Sequence, residues 1–350
     1  MIDKLKIFNS QFPSAYYFDA DTLERLPAYL REKDLISGKE KLISFEKPGE
    51  GNMNFVIRVI TDKISFIMKQ SRPWVEKYPQ IEAPVERLAV EYTYFNYLSK
   101  DPFFSIYSPK VLLYDPVNLV LVTQDLGKGS DFSFCYQKSK SLSNNQLKSL
   151  LKYIAHLHRK DWRGANVDFP LNTKLKKLNH EHIFQYPFLQ DNGFDLDSIQ
   201  AGLQQLSLPL KNNKRLKFQI AKLGDKYLSA GPVLIHGDYY PGSWLDINQQ
   251  VKVIDPEFAF FGFAEFDLGV MTAHLLMAGL NLVELKELLQ NYNKRLDFDQ
   301  KLFYGFCGTE ILRRIIGLAQ LPLDLSLGEK ERLLKLAESF IVSPDSSVLF

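Results

Sequence analysis

The densest chemistry in the chain lies between residues 236 and 257. His236-Gly237-Asp238 follows the apolar run VLI, Gly242-Ser243 comes shortly after, and Asp255-Pro256-Glu257 closes a second apolar run, VKVI. An apolar strand that ends at a glycine-containing bend carries its next side chains out of the core toward a cleft. On this reading Asp238, Asp255 and Glu257 come together with no Lys or Arg beside them in sequence. Such carboxylates repel one another unless a cation fills the cluster, and oxygen-only ligands favour Mg2+ over zinc. A nucleoside triphosphate bound through that metal is its natural companion. Acids that merely solvate hairpin turns are the bland alternative, and the apolar runs directly ahead of them speak against it.

A second group of residues precedes this one. Glu50-Gly51-Asn52-Met53-Asn54 leads into the strand-like FVIRVI, and Lys69 ends the next strand-like run. Small and amide residues in a strand-to-strand turn can offer backbone N–H groups to phosphate oxygens. A lysine on the following strand adds a point charge, and Glu91 on the following helix can hold it in place. Glycine turns and surface lysines are common, so this group gains weight only from its order relative to the first. No GxxxxGK[ST] occurs, which argues against a P-loop enzyme. Phosphate turn, lysine, helix glutamate, hinge, base and metal ligands follow one another as in a protein-kinase-like phosphotransferase. The H-R-D and D-F-G signatures of protein kinases are replaced by HGDYYPGSWL and IDPEFAF.

These motifs resemble the aminoglycoside phosphotransferase and choline kinase superfamily, and within it the methylthioribose kinases. The resemblance is carried by GEGNMNFVIRV, FIMKQSRPWV, APVERLAVEY, HGDYYPGSWL, VKVIDPEFAFFGFAEFDLG and LRRIIGLA, spread from about residue 22 to 320. It implies Asp238 as the base or orienter of the acceptor hydroxyl, with His236 holding the loop. Asp255 would bind Mg2+, Glu257 a second metal position or the same one through water, and Ser243 replaces the superfamily's metal-binding Asn. Lys69, paired with Glu91, would hold phosphates under a turn containing Gly51, Asn52 and Asn54. Gln124-Asp125-Leu126 would be the hinge that meets the adenine edge. Arg313 and Arg314, by themselves an ordinary helix-surface pair, match arginines near the sugar and the transferred phosphoryl group. The implied reaction is transfer of the γ-phosphate of ATP to a sugar hydroxyl, that of methylthioribose in methionine salvage. Kinases of amino alcohols, amino sugars or homoserine are the enzymatic alternative, and a non-catalytic nucleotide-binding scaffold is the other. The sequence departs from the family at Tyr239-Tyr240-Pro241, beside the accepting hydroxyl, and at Gln124, where an acid is usual.

The elements that must position these residues can be read in outline. Leu23, Leu26, Tyr29 and Leu30 share one helical face, with Asp21 or Thr22 as cap. FVIRVI and ISFIMK form a hairpin about Thr61-Asp62-Lys63, residues 84–98 a helix, and KVLLYD and NLVLVTQD two further strands. Beyond Leu126 the chain turns mostly helical. Leu147, Leu150, Leu151, Ile154, Ala155 and His158 lie along one face, short strands return over 232–254, and Asp267 caps a final set of helices. The expected architecture is α+β, a two-lobed protein-kinase-like fold. A small β-rich nucleotide-binding lobe spans 1–126, a larger helical catalytic and substrate lobe spans 127–350, and ATP lies in the cleft. Trp74, Trp162 and Trp244 read as packing anchors, and His156 and His158 as packing or surface residues.

Composition narrows the class. Of 350 residues 45% are hydrophobic and 24% charged, an ordinary globular mixture. Lys and Arg total 43 against 41 Asp and Glu, a net charge of +2, too balanced for a nucleic-acid or polybasic membrane binder. Two cysteines, Cys135 and Cys307, exclude a disulfide framework and a cysteine-rich zinc site. No signal peptide is apparent, and the longest apolar run, near 268–280, is broken by His274 and too short to span a bilayer. A cytoplasmic protein follows, with ATP and a small-molecule alcohol as partners, no nucleic acid or membrane, and room for a homodimer.

Overall fold

Along FVIRVIT every second side chain from Ile57 to Thr61 is buried, the signature of a strand with one face against a core. That strand, β2 (Phe55–Thr61), pairs antiparallel with β1 (Leu42–Glu46) and with β3 (Ser65–Gln70). With β6 (Val111–Asp115) and β7 (Val120–Gln124) they form a five-stranded sheet in the order β1-β2-β3-β7-β6. Ile57, Val59, Phe66, Met68, Val120 and Val122 from this sheet pack with Leu26, Tyr29 and Leu30 of the short helix α2 (Leu26–Glu32), which follows α1 (Lys4–Gln11). Helix α3 (Arg87–Leu98) lies between β3 and β6 in the chain. A short hairpin, β4 (Trp74–Val75) and β5 (Tyr78–Glu82), precedes it and is absent from the sequence reading.

The structure is a computed structural model that describes residues 3–19, 23–49, 53–162, 168–292 and 294–350. The chain divides into two compact units, Met1–Lys128 and Gly129–Phe350. The first is the β-rich unit above, and the second is mainly helical, so the α+β, two-lobed protein-kinase-like class holds. The expected cap at Asp21 or Thr22 falls outside the described residues.

The second unit opens with β8 (Ser130–Asp131) and α4 (Asn144–Arg159), whose start is fixed by a Ser143–Gln146 capping box. Helices α5 (Thr173–His180), α6 (Leu203–Asn212) and α7 (Lys214–Leu228) lead to β9 (Val233–Ile235). β10 (Trp244–Ile247) and β11 (Gln250–Val253) form a hairpin that β8 joins. β9 does not pair with it. Its partner is β12 (Phe260–Gly262), a strand too short to show a period in sequence.

Four helices complete the unit: α8 (Ala264–Met277), α9 (Leu282–Leu289), α10 (Gln300–Ile316) and α11 (Leu327–Val342). Every residue of α8 is buried, which explains its long apolar stretch, and α10 packs between α8 and α11. Asp267 does not cap this set: the N-cap of α8 is Phe263, and Asp267 lies one turn inside the helix. A β-carbon built on Gly308 of α10 would meet the Ala337 carbonyl oxygen of α11 at 2.5 Å. Backbone gives way poorly, so Gly308→Ala should lose about 1–3 kcal/mol in urea denaturation. An unchanged midpoint would show that α11 shifts freely.

Candidate active site

Asp238 reaches its place through a turn that only glycine makes cheaply. Gly237 has φ +81°, and a β-carbon there would lie 2.1 Å from the Phe258 carbonyl oxygen. The His236–Asp238 turn can therefore press against the backbone just beyond Asp255-Pro256-Glu257. The imidazole of His236 ties the two loops, with Nε2 3.0 Å from the Ile254 carbonyl oxygen. Ser243 Oγ donates to the Asp238 carbonyl at 2.8 Å, and Ile254 N donates to the Ser243 carbonyl. Asp255 has φ +61°, a left-handed conformation that Asp tolerates better than most residues and that costs backbone energy.

The loop is clamped from α8. Asp267, fully buried, accepts hydrogen bonds from His236 N at 2.6 Å and Gly237 N at 2.9 Å, one on each carboxylate oxygen. His158 of α4, also fully buried, stands with Nε2 3.3 Å from Asp267 and Nδ1 2.8 Å from the Tyr292 hydroxyl. The sequence reading gave His158 no partner because Asp267 is more than 100 residues away; FDLG held the signal only through its acid.

Two arginines face Asp238. Nη2 of Arg313 and of Arg314 lie 3.9 and 3.7 Å from its Oδ1. No sequence neighbour of Asp238 carries the compensating charge; α10 supplies it, from 75 residues further along the chain. Among the described residues no group of three or more His, Cys, Asp or Glu side chains forms a metal-binding cluster. Burial pushes the Asp238 carboxyl up from 3.8 to about 6, against the pull of Arg314 and Arg313 and with Glu310 and Asp255 adding repulsion. Asp255 thus acts on the same group electrostatically, and Glu257 is only 5% exposed.

Tyr239 and Tyr240 part company. Tyr239 was expected beside the acceptor, but it is fully buried, stacks on Tyr153 at 5.7 Å and donates its hydroxyl to the Leu150 carbonyl. Core packing claims it. Tyr240 is half-buried, with its ring 4.7 Å from the Arg314 guanidinium and 5.2 Å from the His274 ring. Trp244 is buried against Tyr239 and Phe132, an anchor as expected.

In the first unit Lys69 Nζ stands 2.7 Å from Glu91 Oε1, both buried. Leaving either charge without the other would cost about 3–5 kcal/mol. Asn54 is 7% exposed, and its Oδ1 accepts from Arg87 Nε at 3.0 Å, while Arg87 also donates to the Met53 and Arg72 carbonyls. The Asn54 amide oxygen is thus engaged in holding the end of the turn, a use that neither residue type announced. Gly51 and Asn52 fall outside the described residues. Gln124 ends β7, and Asp125 binds Arg58 at 2.9 Å and the Ser65 hydroxyl at 2.7 Å, so its side chain stiffens the segment before Leu126.

Strand-borne lysine, helix glutamate, clamped HGD turn and DPE turn together define a protein-kinase-like phosphotransferase. Residues 44–300 match the phosphotransferase enzyme family, and the chain belongs to that family. It is 28% identical to methylthioribose kinase of Bacillus mycoides (strain KBAB4) over 335 residues, which cover 83% of each chain. Against methylthioribose kinase of Pectobacterium atrosepticum identity is 27% over 350 residues, 83% of this chain and 84% of the other. The fold is similar to that of a Plasmodium vivax ethanolamine kinase, with TM-score 0.55, 13% identity and coverage of 95% and 92%. A choline kinase from Cryptosporidium parvum Iowa II gives 0.50, 14%, 92% and 98%. No described helix is long and apolar enough to cross a membrane.

Two outcomes follow from the clamp and its neighbours. Asp267→Ala would strand two buried N–H donors, and denaturation should register a loss of about 2–4 kcal/mol. A smaller loss than that of an exposed Asp→Ala control would remove Asp267 from its role. His274 is fully buried and faces Tyr136, Tyr240, Glu310, Arg314 and Arg313. Burial lowers it from 6.5 to about 4, so between those values the unfolded chain binds the proton and the folded one does not. Stability from this group is full above 6.5 and is lost as pH falls toward 4. His274→Gln should therefore lose less stability than the wild type between pH 7 and 4.5; parallel losses would refute this.

Proposed function

We propose that the protein is an ATP-dependent kinase of a neutral sugar, methylthioribose in the first instance. The observation that carries this reading is the arginine pair at Asp238. Asp238, Glu310, Arg313 and Arg314 form one contiguous cluster of two carboxylates and two guanidinium groups, with no net charge. A cationic amino alcohol would meet two guanidinium forks, whereas a polyol can be bonded by forks and carboxylate alike. The names of the relatives at 27–28% identity point to the same substrate.

In the mechanism Asp238 orients the acceptor hydroxyl and takes its proton as the oxygen attacks the γ-phosphate. Its place beside two arginines keeps it ionised above about pH 6 despite burial. Arg313 and Arg314 stabilise charge on the transferred phosphoryl oxygens. Lys69, fixed by Glu91, would hold the nucleotide phosphates in the first unit, beneath the turn that ends at Asn54, with Gln124, Asp125 and Leu126 as the hinge. The donor chemistry of Asp255 and Glu257, carboxylate oxygens on an adjacent turn, fits Mg2+; Ser243 gives its hydroxyl hydrogen to the Asp238 carbonyl and keeps its oxygen lone pairs. When bound to ATP, that ion neutralises phosphate charge. Both cysteines are free and buried, in keeping with a cytoplasmic setting.

Purified protein with Mg-ATP should turn over methylthioribose in preference to choline, homoserine and an aminoglycoside, read by coupled ADP release. Asp238→Asn should lower kcat by about 10^2–10^4 while nucleotide affinity, by calorimetry, stays within twofold. Faster turnover of a cationic alcohol would overturn the substrate; wild-type turnover by Asp238→Asn would overturn the base.

A further inference from the structure

Adjacent residues on an α-helix point about 100° apart, so two neighbouring arginines do not naturally converge on one target. Arg313 and Arg314 converge because they stand three and four residues after Glu310, on the face that it occupies. Nε of Arg313 donates to Glu310 Oε2 at 2.5 Å, and Nε of Arg314 to Oε1 at 2.7 Å. Their inner nitrogens are used up on one carboxylate, and the Nη2 atoms are the ones near Asp238.

Glu310 is gripped in turn. His274 Nε2 lies 2.9 Å from Glu310 Oε1, and the Tyr136 hydroxyl lies 2.6 Å from His274 Nδ1. The neighbouring guanidinium groups hold Glu310 well below the ordinary carboxylate range despite its burial, so it accepts only. The imidazole, neutral at pH 7, must then carry its hydrogen on Nε2 and accept at Nδ1 from the Tyr136 O–H. Every hydrogen in this chain has one direction. Tyr136, His274 and Glu310 are 2% exposed or less, so solvent does not compete.

We propose that Glu310, backed by His274 and Tyr136, is a positioning residue for the phosphoryl acceptor: it pins both guanidinium groups by their inner nitrogens and presents their outer forks at Asp238. The inference rests on Arg313 and Arg314 belonging to the acceptor site. Glu310 acts through the arginines.

The test is steady-state kinetics with ATP saturating and the alcohol that the wild-type enzyme phosphorylates best varied. Glu310→Gln keeps the shape and removes the charge. It should raise the acceptor KM about tenfold or more with the KM for ATP within twofold. Glu310→Asp, which keeps the charge on a shorter arm, should recover part of that loss. Because a buried substitution can impair folding, Tyr136→Phe provides a milder arm. It removes one hydroxyl at the far end and should raise the acceptor KM about threefold with circular dichroism unchanged. An unchanged acceptor KM in folded Glu310→Gln and Tyr136→Phe would overturn the proposal, as would Glu310→Asp no better than Glu310→Gln. If the best acceptor proves not to be methylthioribose while these shifts appear on it, the substrate reading falls and the positioning role stands. Turnover of methylthioribose with no shifts is the reverse result.

Discussion

A buried backbone N–H must find an acceptor, and at the HGD turn two of them find the same one. The two oxygens of Asp267 take His236 N and Gly237 N, so the orientation of the loop is set by a helix rather than by its own strand. β9 offers only three residues and one short partner, β12, too little to fix the side chain that follows. The carboxylate does what the sheet cannot. A fully buried α8 makes a firm base for it, since any rotation of that helix would move apolar side chains out of a filled core. His158, itself bonded to the Tyr292 hydroxyl, then meets Asp267 from the other side, so α4 and the segment after α9 also register on the turn.

The same logic recurs one helix further on. α8 contributes His274 two turns after Asp267, and α10, packed against it, contributes Glu310 and the arginines. One helix therefore braces both the turn that carries Asp238 and the arginines that face it. α10 also approaches α11 closely at Gly308, two residues before Glu310. Precision at Asp238 comes from helix packing, with polar groups used only where backbone donors or guanidinium groups must be turned.

How much of this was legible follows from the range over which each feature acts. Lys69 and Glu91, an ion pair at 2.7 Å, sit on a strand and helix of clear period, so type and order were enough to pair them. Family, fold and reaction class could be read because HGD, DPE and the arginine pair are local strings. What the sequence hid depends on contacts between elements far apart in the chain or on strands too short to show a period. Asp267 reads as a helix cap because acids begin helices, yet the apolar run extends upstream and buries it one turn in. Tyr239 reads as a substrate neighbour because it adjoins Asp238, but a turn sends successive side chains to opposite sides, and only Tyr240 stays near the arginines. β12, of three residues, and β4, of two, fall below the length at which alternation can be seen.

Charge shows why near-neutral composition is compatible with phosphate chemistry. A net +2 spread over 350 residues steers nothing at long range, because exposed charges are screened within about 10 Å at ordinary ionic strength. The useful charges are few and removed from water, where their interactions strengthen. Yet two buried arginines side by side would be untenable alone. Glu310 makes the pair possible, and Asp238 completes the balance, so the four side chains together carry no net charge. In the proposed mechanism, a phosphoryl group would compete with Asp238 for the outer forks while Glu310 keeps the inner ones. On that proposal the arginines would change partners while Glu310 still pins their inner nitrogens, and an acceptor that brought its own positive charge would upset the balance from which the exchange starts.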